Sequence, residues 1–164
     1  MKVLVIYYSQ TGKTKRIAEE IAKDFKAAGN EAKLTSIEPV EEKDYTTNVR
    51  EAREGTEAKI KPTVSDVSGY DLICVGTPVW SSSPATPVNG YIASMTGIKD
   101  KKAACFATYG GGSAASTLEK LRKKLEEKEA IVVDTLGIDS TRRFSEDVRQ
   151  SVKDFVEANR RGSF

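Results

Sequence analysis

At 164 residues the chain is long enough for one ordinary domain with a real core. Its 26 basic and 24 acidic residues leave a net charge of +2, a mixed surface that gives no argument for nucleic acid. No apolar run is long enough to span a membrane and no signal-peptide pattern opens the chain; histidine is absent, which removes Ser-His-Asp and Cys-His nucleophiles, His-ligated zinc and a histidine general base.

In chain order, the apolar run Lys2–Tyr8 reads as a strand, and Ser9-Gln10-Thr11-Gly12-Lys13-Thr14 follows it as a tight polar turn. Ile17, Ile21, Phe25 and Ala28 then recur at one-turn spacing, and Gly29-Asn30 supplies a C-cap. Glu31–Ile37 alternates in polarity, which suits an edge strand. The polar stretch Glu38–Val67 is too long for an ordinary connection and holds a short helical pattern over Thr47–Ala58. Leu72–Gly76 and Lys102–Thr108 lack strict alternation, as expected of central strands covered on both faces. Between them, Val88–Met95 reads as a short helix after Pro87. Leu118, Leu121 and Leu125 mark a further helix, with Ser116 and Glu119 in capping-box spacing. Ala130–Leu136 is the fifth strand, and Val148, Val152, Phe155 and Val156 form a terminal helix opened by Ser145. Alternating strands and helices imply an α/β fold: a doubly wound, five-stranded parallel sheet between two helical layers, in one domain spanning 1–164.

Strand, polar turn and helix together aim backbone N–H groups and a helix N-terminus at an anion. The hydroxyls of Ser9, Thr11 and Thr14 add donors, and Gly12 lets the backbone come close, so the first loop reads as a phosphate cradle. It is no Walker A loop, because Tyr7 stands where the first glycine of that motif belongs. A phosphotyrosine phosphatase needs a cysteine in this loop, and a receiver domain needs acidic strand ends where Ser9 and Thr77 stand. The bland alternative is a turn that caps a helix and binds nothing.

Two further strand ends fall on the same edge, where ligands of open parallel sheets lie. One is Gly76-Thr77-Pro78-Val79-Trp80-Ser81-Ser82-Ser83-Pro84; the other is Thr108-Tyr109-Gly110-Gly111-Gly112-Ser113. Each carries an aromatic just beyond its strand, and Trp80 is the chain's only tryptophan. Two aromatics flanking one crevice, with glycines that free backbone N–H groups, suit a flat conjugated ring with polar edges. Gly110-x-Gly112-x-x-Ala115, with Asp134 ending the next strand, also fits a loose dinucleotide fingerprint. The chain leaves little room for a second mononucleotide half, so one mononucleotide bearing a ring is the preferred ligand.

These three loops, in this order, resemble those of the flavodoxin-like superfamily. The first resembles its T/S-x-T-G-x-T phosphate loop, and Gly76–Trp80 and Thr108–Gly111 resemble its second and third flavin loops. Pro39, Asp44-Tyr45 and Val49-Arg50 resemble the branch with a "P…Y" stretch before the third strand. The resemblance implies noncovalent FMN, strand order 2-1-3-4-5 and the short-chain form. By position, Ser9, Gln10, Thr11, Gly12, Lys13 and Thr14 would bind the phosphate. Pro78, Val79, Trp80 and Ser81, with Thr77 beside them, would face the isoalloxazine; Thr108, Tyr109, Gly110, Gly111 and Gly112 would bind its pyrimidine edge.

The function this implies is electron transfer to a redox partner protein or small-molecule acceptor, with no catalytic side chain and no metal. An FMN-dependent NAD(P)H:quinone-type oxidoreductase is the alternative, favoured by the near-neutral charge and by Ser81, which leaves the second loop open. A fold that has lost its flavin is the third reading. The expected state is a monomer or homodimer in the cytoplasm. Cys74 and Cys105, inside apolar runs, are expected as free, buried thiols, neighbours on adjacent strands.

Overall fold

Alternating apolar strands and amphipathic helices assemble into three layers in the computed structural model, which describes residues 1–141 and 143–160. The strands are β1 (Lys2–Tyr7), β2 (Glu31–Ser36), β3 (Leu72–Trp80), β4 (Ser83–Pro84), β5 (Lys102–Tyr109) and β6 (Ile131–Asp139). The helices are α1 (Lys13–Ala27), α2 (Tyr45–Glu54), α3 (Thr86–Ser94), α4 (Ala115–Glu127) and α5 (Glu146–Arg160). The sheet runs β2-β1-β3-β5-β6, with all four of these pairings parallel; β4 pairs antiparallel with the end of β3. Among the five parallel strands this is the expected order, with a two-residue hairpin arm added to it.

Both faces of the sheet are packed. Ile17, Ile21 and Phe25 of α1 and Val152, Phe155 and Val156 of α5 cover Val3, Val5 and Phe106 on one face. Val88, Tyr91 and Ile92 of α3 and Leu118, Leu121 and Leu125 of α4 cover Leu4, Ile6, Ile73 and Val75 on the other. That two-sided cover is why β1, β3 and β5 read as continuous apolar runs. β2 is the edge its alternation suggests, and its side chains are exposed or half-buried.

Several details differ from the sequence reading. β3 runs four residues past Gly76, because the chain doubles back and pairs Val79 with Pro84 and Trp80 with Ser83. β6 continues beyond Leu136 because β5 pairs with it as far as Tyr109–Asp139. α2 starts at Tyr45, not Thr47, since the Asp44 side chain accepts from the Thr47 N–H at 2.8 Å; it stops at Gly55, in the left-handed region at φ 73°. The Ser116–Glu119 capping box does not form. α4 begins at Ala115, whose N–H donates to Ser113 Oγ at 3.0 Å, and Ser116 lies within the helix. Asp134 lies inside β6, where the sheet register slips by one residue, and accepts from Asn159 Nδ2 at 2.9 Å. It is therefore remote from the strand end that the dinucleotide fingerprint required. Ser145 does open α5, accepting from the Val148 N–H at 3.4 Å.

Cys74 and Cys105 are free, fully buried and on adjacent strands, but they are not side by side. The register pairs Cys74 with Ala104 and Val75 with Cys105, so the thiols point to opposite faces of the sheet. Burial pushes both up, Cys105 to about 12. Since the thiolate is the reactive form, the native protein is expected to resist thiol reagents, with both cysteines labelling together on denaturation. Rapid native labelling of either one would contradict this placement.

Candidate functional site

The polar turn after β1 and the start of α1 form the centre of the site. Gly12 is the N-cap of α1 at φ 91°, with no atom within 4 Å of where a Cβ would stand. Its conformation, not lack of space, therefore calls for glycine. The Gly12 N–H donates to Ser9 Oγ at 3.1 Å, which curls the loop, and the first helical bond is Arg16 N–H to the Gly12 carbonyl at 3.1 Å. Among the described residues, the N–H groups of Gln10, Thr11, Lys13 and Thr14 have no protein partner. Gln10, Thr11, Gly12 and Lys13 are exposed. Unpaired helix-start donors on an exposed loop are suited to an anion.

The three hydroxyls of the loop do different work. Thr11 Oγ1 makes no bond among the described residues, Ser9 Oγ accepts from Gly12, and Thr14 is turned inward. Thr14 is 1% exposed and its Oγ1 shares a 2.7 Å hydrogen bond with Oγ1 of Thr108, itself 4% exposed. The pair ties the first loop to the end of β5. Thr77 is also spent internally: its buried hydroxyl donates to the Pro78 carbonyl at 2.8 Å and accepts from the Ala85 N–H at 3.0 Å, joining the end of β3 to the start of α3.

At the end of β3 and the turn that follows it, Pro78, Val79, Trp80 and Ser81 are half-buried. The Trp80 ring meets buried Tyr8 edge-on, at 5.5 Å between centroids and 86° between planes. Burial, and then the charge of Glu42, raise the Tyr8 phenol above its ordinary range. Tyr109, the last residue of β5, is half-buried, and Gly110, Gly111 and Gly112 beyond it are exposed. Gly111 and Gly112 have φ of 100° and 74°. The Tyr109 carbonyl accepts from both the N–H and Oγ of Ser140, at 2.7 and 2.9 Å, so the end of β6 steadies this loop. Its ring lies beside Gly137 of β6. The two aromatics thus share a face of the sheet but lean apart, Trp80 towards β1 and Tyr109 towards β6.

Two cavities adjoin the first loop. One, of about 330 Å³, lies between Thr11–Lys13 and the β6–α5 connection, walled by Arg16, Asp139 and Phe144. The Arg16 guanidinium sits 4.4 Å over the Phe144 ring, with Arg149 at 5.2 Å. The other, of about 420 Å³, lies between Ser9–Gly12 and the Ile37–Pro39 turn, with Tyr8 and Glu42 in its wall. Tyr8, Ser140 and Phe144 were not singled out in the sequence. Tyr8 was legible only as the last apolar residue of its run, and the other two carry no local signal.

A parallel doubly wound sheet with three such loops at its carboxyl edge defines a mononucleotide-binding class of α/β protein. The sequence model of the flavodoxin family matches residues 2–157. A flavoprotein from Lactobacillus acidophilus, solved in complex with FMN, is 26% identical; the match covers 85% of this chain and 94% of that one, with a TM-score of 0.68. Oxidised flavodoxin 1 from Bacillus cereus shares the fold at 22% identity, over 96% of this chain and 95% of its own, with a TM-score of 0.67. Two-electron reduced flavodoxin from Megasphaera elsdenii shares it at 22% identity, over 94% and 98%, with a TM-score of 0.65. The chain belongs to the flavodoxin family.

Proposed function

We propose that this chain is one domain that holds a single FMN noncovalently and carries electrons between redox partners. The observation that carries the reading is the Ser9–Thr14 loop, exposed from Gln10 to Lys13, with N–H groups at the start of α1 that have no partner among the described residues. Those groups, with the Thr11 hydroxyl, bind the FMN phosphate, and Lys13 adds positive charge beside it. The open backbone of Gly110–Gly112 presents donors to the pyrimidine edge. Pro78–Ser81 and Tyr109 border the ring, while the Thr14–Thr108 bond ties the first loop to the third and Thr77 ties its own loop to the start of α3. When bound, FMN supplies the electron-transfer chemistry; the protein binds it, orients it and sets the field around it. No side chain of the site is asked to act as acid or base.

The partner is a redox protein or a small acceptor that meets the exposed edge of the site, and the protein works as a monomer or homodimer. The free buried thiols suit a reducing compartment such as the cytoplasm. Among the described residues no helix is long and apolar enough to cross a membrane.

Equilibrium titration of the apoprotein tests the cofactor: one FMN per chain is expected, with FAD bound more weakly. Tighter FAD would mean that the cavity beside Phe144 takes an adenylate. Stopped-flow mixing of the FMN-loaded protein with NADH and with NADPH tests the function. An electron carrier keeps its yellow colour until a reductase is added. Rapid bleaching by either nucleotide would instead make it an NAD(P)H-dependent enzyme.

A further inference from the structure

The hairpin that carries Trp80 is closed by a turn its own sequence does not favour. Ser81 and Ser82 occupy the two central positions of the β3–β4 loop at φ 50° and 60°. Two-residue hairpin loops with both residues left-handed prefer Asn-Gly, and each serine there is a local cost. Groups from two other elements meet this turn from outside. Arg53 of α2 donates from Nε to Ser81 Oγ at 2.6 Å. Lys120 of α4 donates from Nζ to the Ser82 carbonyl at 3.1 Å and to Ser83 Oγ at 3.0 Å. Ser83 Oγ donates in turn to the Ser81 carbonyl at 3.3 Å. Neither cation has a carboxylate partner among the described residues. Arg53 follows Ala52, the one buried residue of α2, so the seating of that helix aims the guanidinium.

We propose that Arg53 and Lys120 are positioning residues of the flavin site: together they clamp the Ser81–Ser82 turn and thereby fix Trp80 in its seat against Tyr8. The proposal rests on the reading of Trp80 as a flavin contact. A single exposed hydrogen bond does little by itself. Here three bonds from two helices converge on three consecutive residues of a strained turn, and the residue next to that turn is the aromatic that borders the ring. Without the clamp the turn relaxes out of the left-handed region, and the Trp80–Ser83 pairing loosens with it.

Trp80 is the only tryptophan, so its emission in the apoprotein reads its seat with no flavin present. In Arg53→Ala/Lys120→Ala, quenching of that emission by acrylamide should increase about twofold or more, and FMN should bind about tenfold more weakly. Arg53→Lys and Lys120→Arg retain donors and should restore both readings. If the double variant does not fold by circular dichroism, Lys120→Ala alone, which loses two of the three outside bonds, carries the same measurements. Unchanged acrylamide access overturns the clamp. Raised access with unchanged FMN affinity also overturns the proposal, and Trp80→Ala measured beside it says whether the clamp or the flavin reading is at fault. If Trp80→Ala weakens FMN, the clamp is unnecessary for binding. If it does not, Trp80 is no flavin contact.

Discussion

Riboflavin, which lacks the phosphate, is expected to bind this protein about a hundred- to ten-thousand-fold more weakly than FMN. The proposed phosphate donors are N–H groups at an exposed helix start that have no partner among the described residues. A hydrogen bond to a charged group contributes about 1.5–3 kcal/mol. Two such bonds therefore give about 3–6 kcal/mol, and each 1.4 kcal/mol is about tenfold in affinity. Substitutions should separate the donors. Thr11→Ala removes an uncommitted hydroxyl and should weaken FMN by about tenfold or more while leaving riboflavin nearly unchanged. Thr14→Val breaks the buried bond to Thr108, so it should loosen two loops at once and weaken both ligands. Gly12→Asp adds repulsion to the anion, but it also places a side chain at φ 91°. Gly12→Ala beside it isolates the backbone strain. Calorimetric titration of both ligands against these variants is the measurement. Equal losses of FMN and riboflavin in Thr11→Ala would put the phosphate elsewhere.

Trp80→Ala should loosen FMN by about ten- to a hundredfold, restore part of the flavin fluorescence and raise the potential at which the flavin becomes fully reduced. The affinity figure follows from losing the burial of a large aromatic surface, about 1.5–3 kcal/mol. The potential should rise because the reduced, anionic ring is repelled by an aromatic π-face, a penalty that alanine and incoming water remove. Tyr109→Ala should act in the same direction and leave its loop in place, because Ser140 holds the Tyr109 backbone carbonyl rather than the ring. The structure also sharpens the competing role for Trp80. Its ring sits edge-on to buried Tyr8, so the same substitution opens a packing defect at the end of β1. A fall in melting temperature is therefore expected in any case. The potential and the fluorescence decide: if neither moves while the melting temperature falls, Trp80 only plugs the core.

The order of elements and the location of the three loops were legible in the sequence because their signals are local. Uninterrupted apolar runs mark strands covered on both faces, and one-turn spacing marks the helices. Ser, Thr and Gly after β1, the serine and proline run that follows Trp80, and the glycines after β5 mark places where the chain must leave regular structure. Parallel connection then brings those strand ends to one edge, so a shared site followed from the alternation of strand and helix.

Other features depend on register or on partners distant in the chain. Cys74 and Cys105 each stand three residues before a threonine, which suggests side-by-side thiols. The β3–β5 register pairs Thr77 with Ala107 instead, and a one-residue offset reverses the face of a side chain. The position of Thr14 reads as that of a phosphate ligand, and the fold adds a bond from its hydroxyl to Thr108, 94 positions away. The Ser81–Ser82 turn takes its cations from residues 28 and 38 positions away, on helices that no local pattern ties to it. The sequence by itself determined the five parallel strands, the helices and the three polar strand ends, since periodicity and turn chemistry act over a few residues. Only the tertiary structure decided which hydroxyls remain for a ligand, where the aromatics lean and what clamps the Trp80 hairpin, because those depend on which distant donor or acceptor the folded sheet brings within hydrogen-bonding reach.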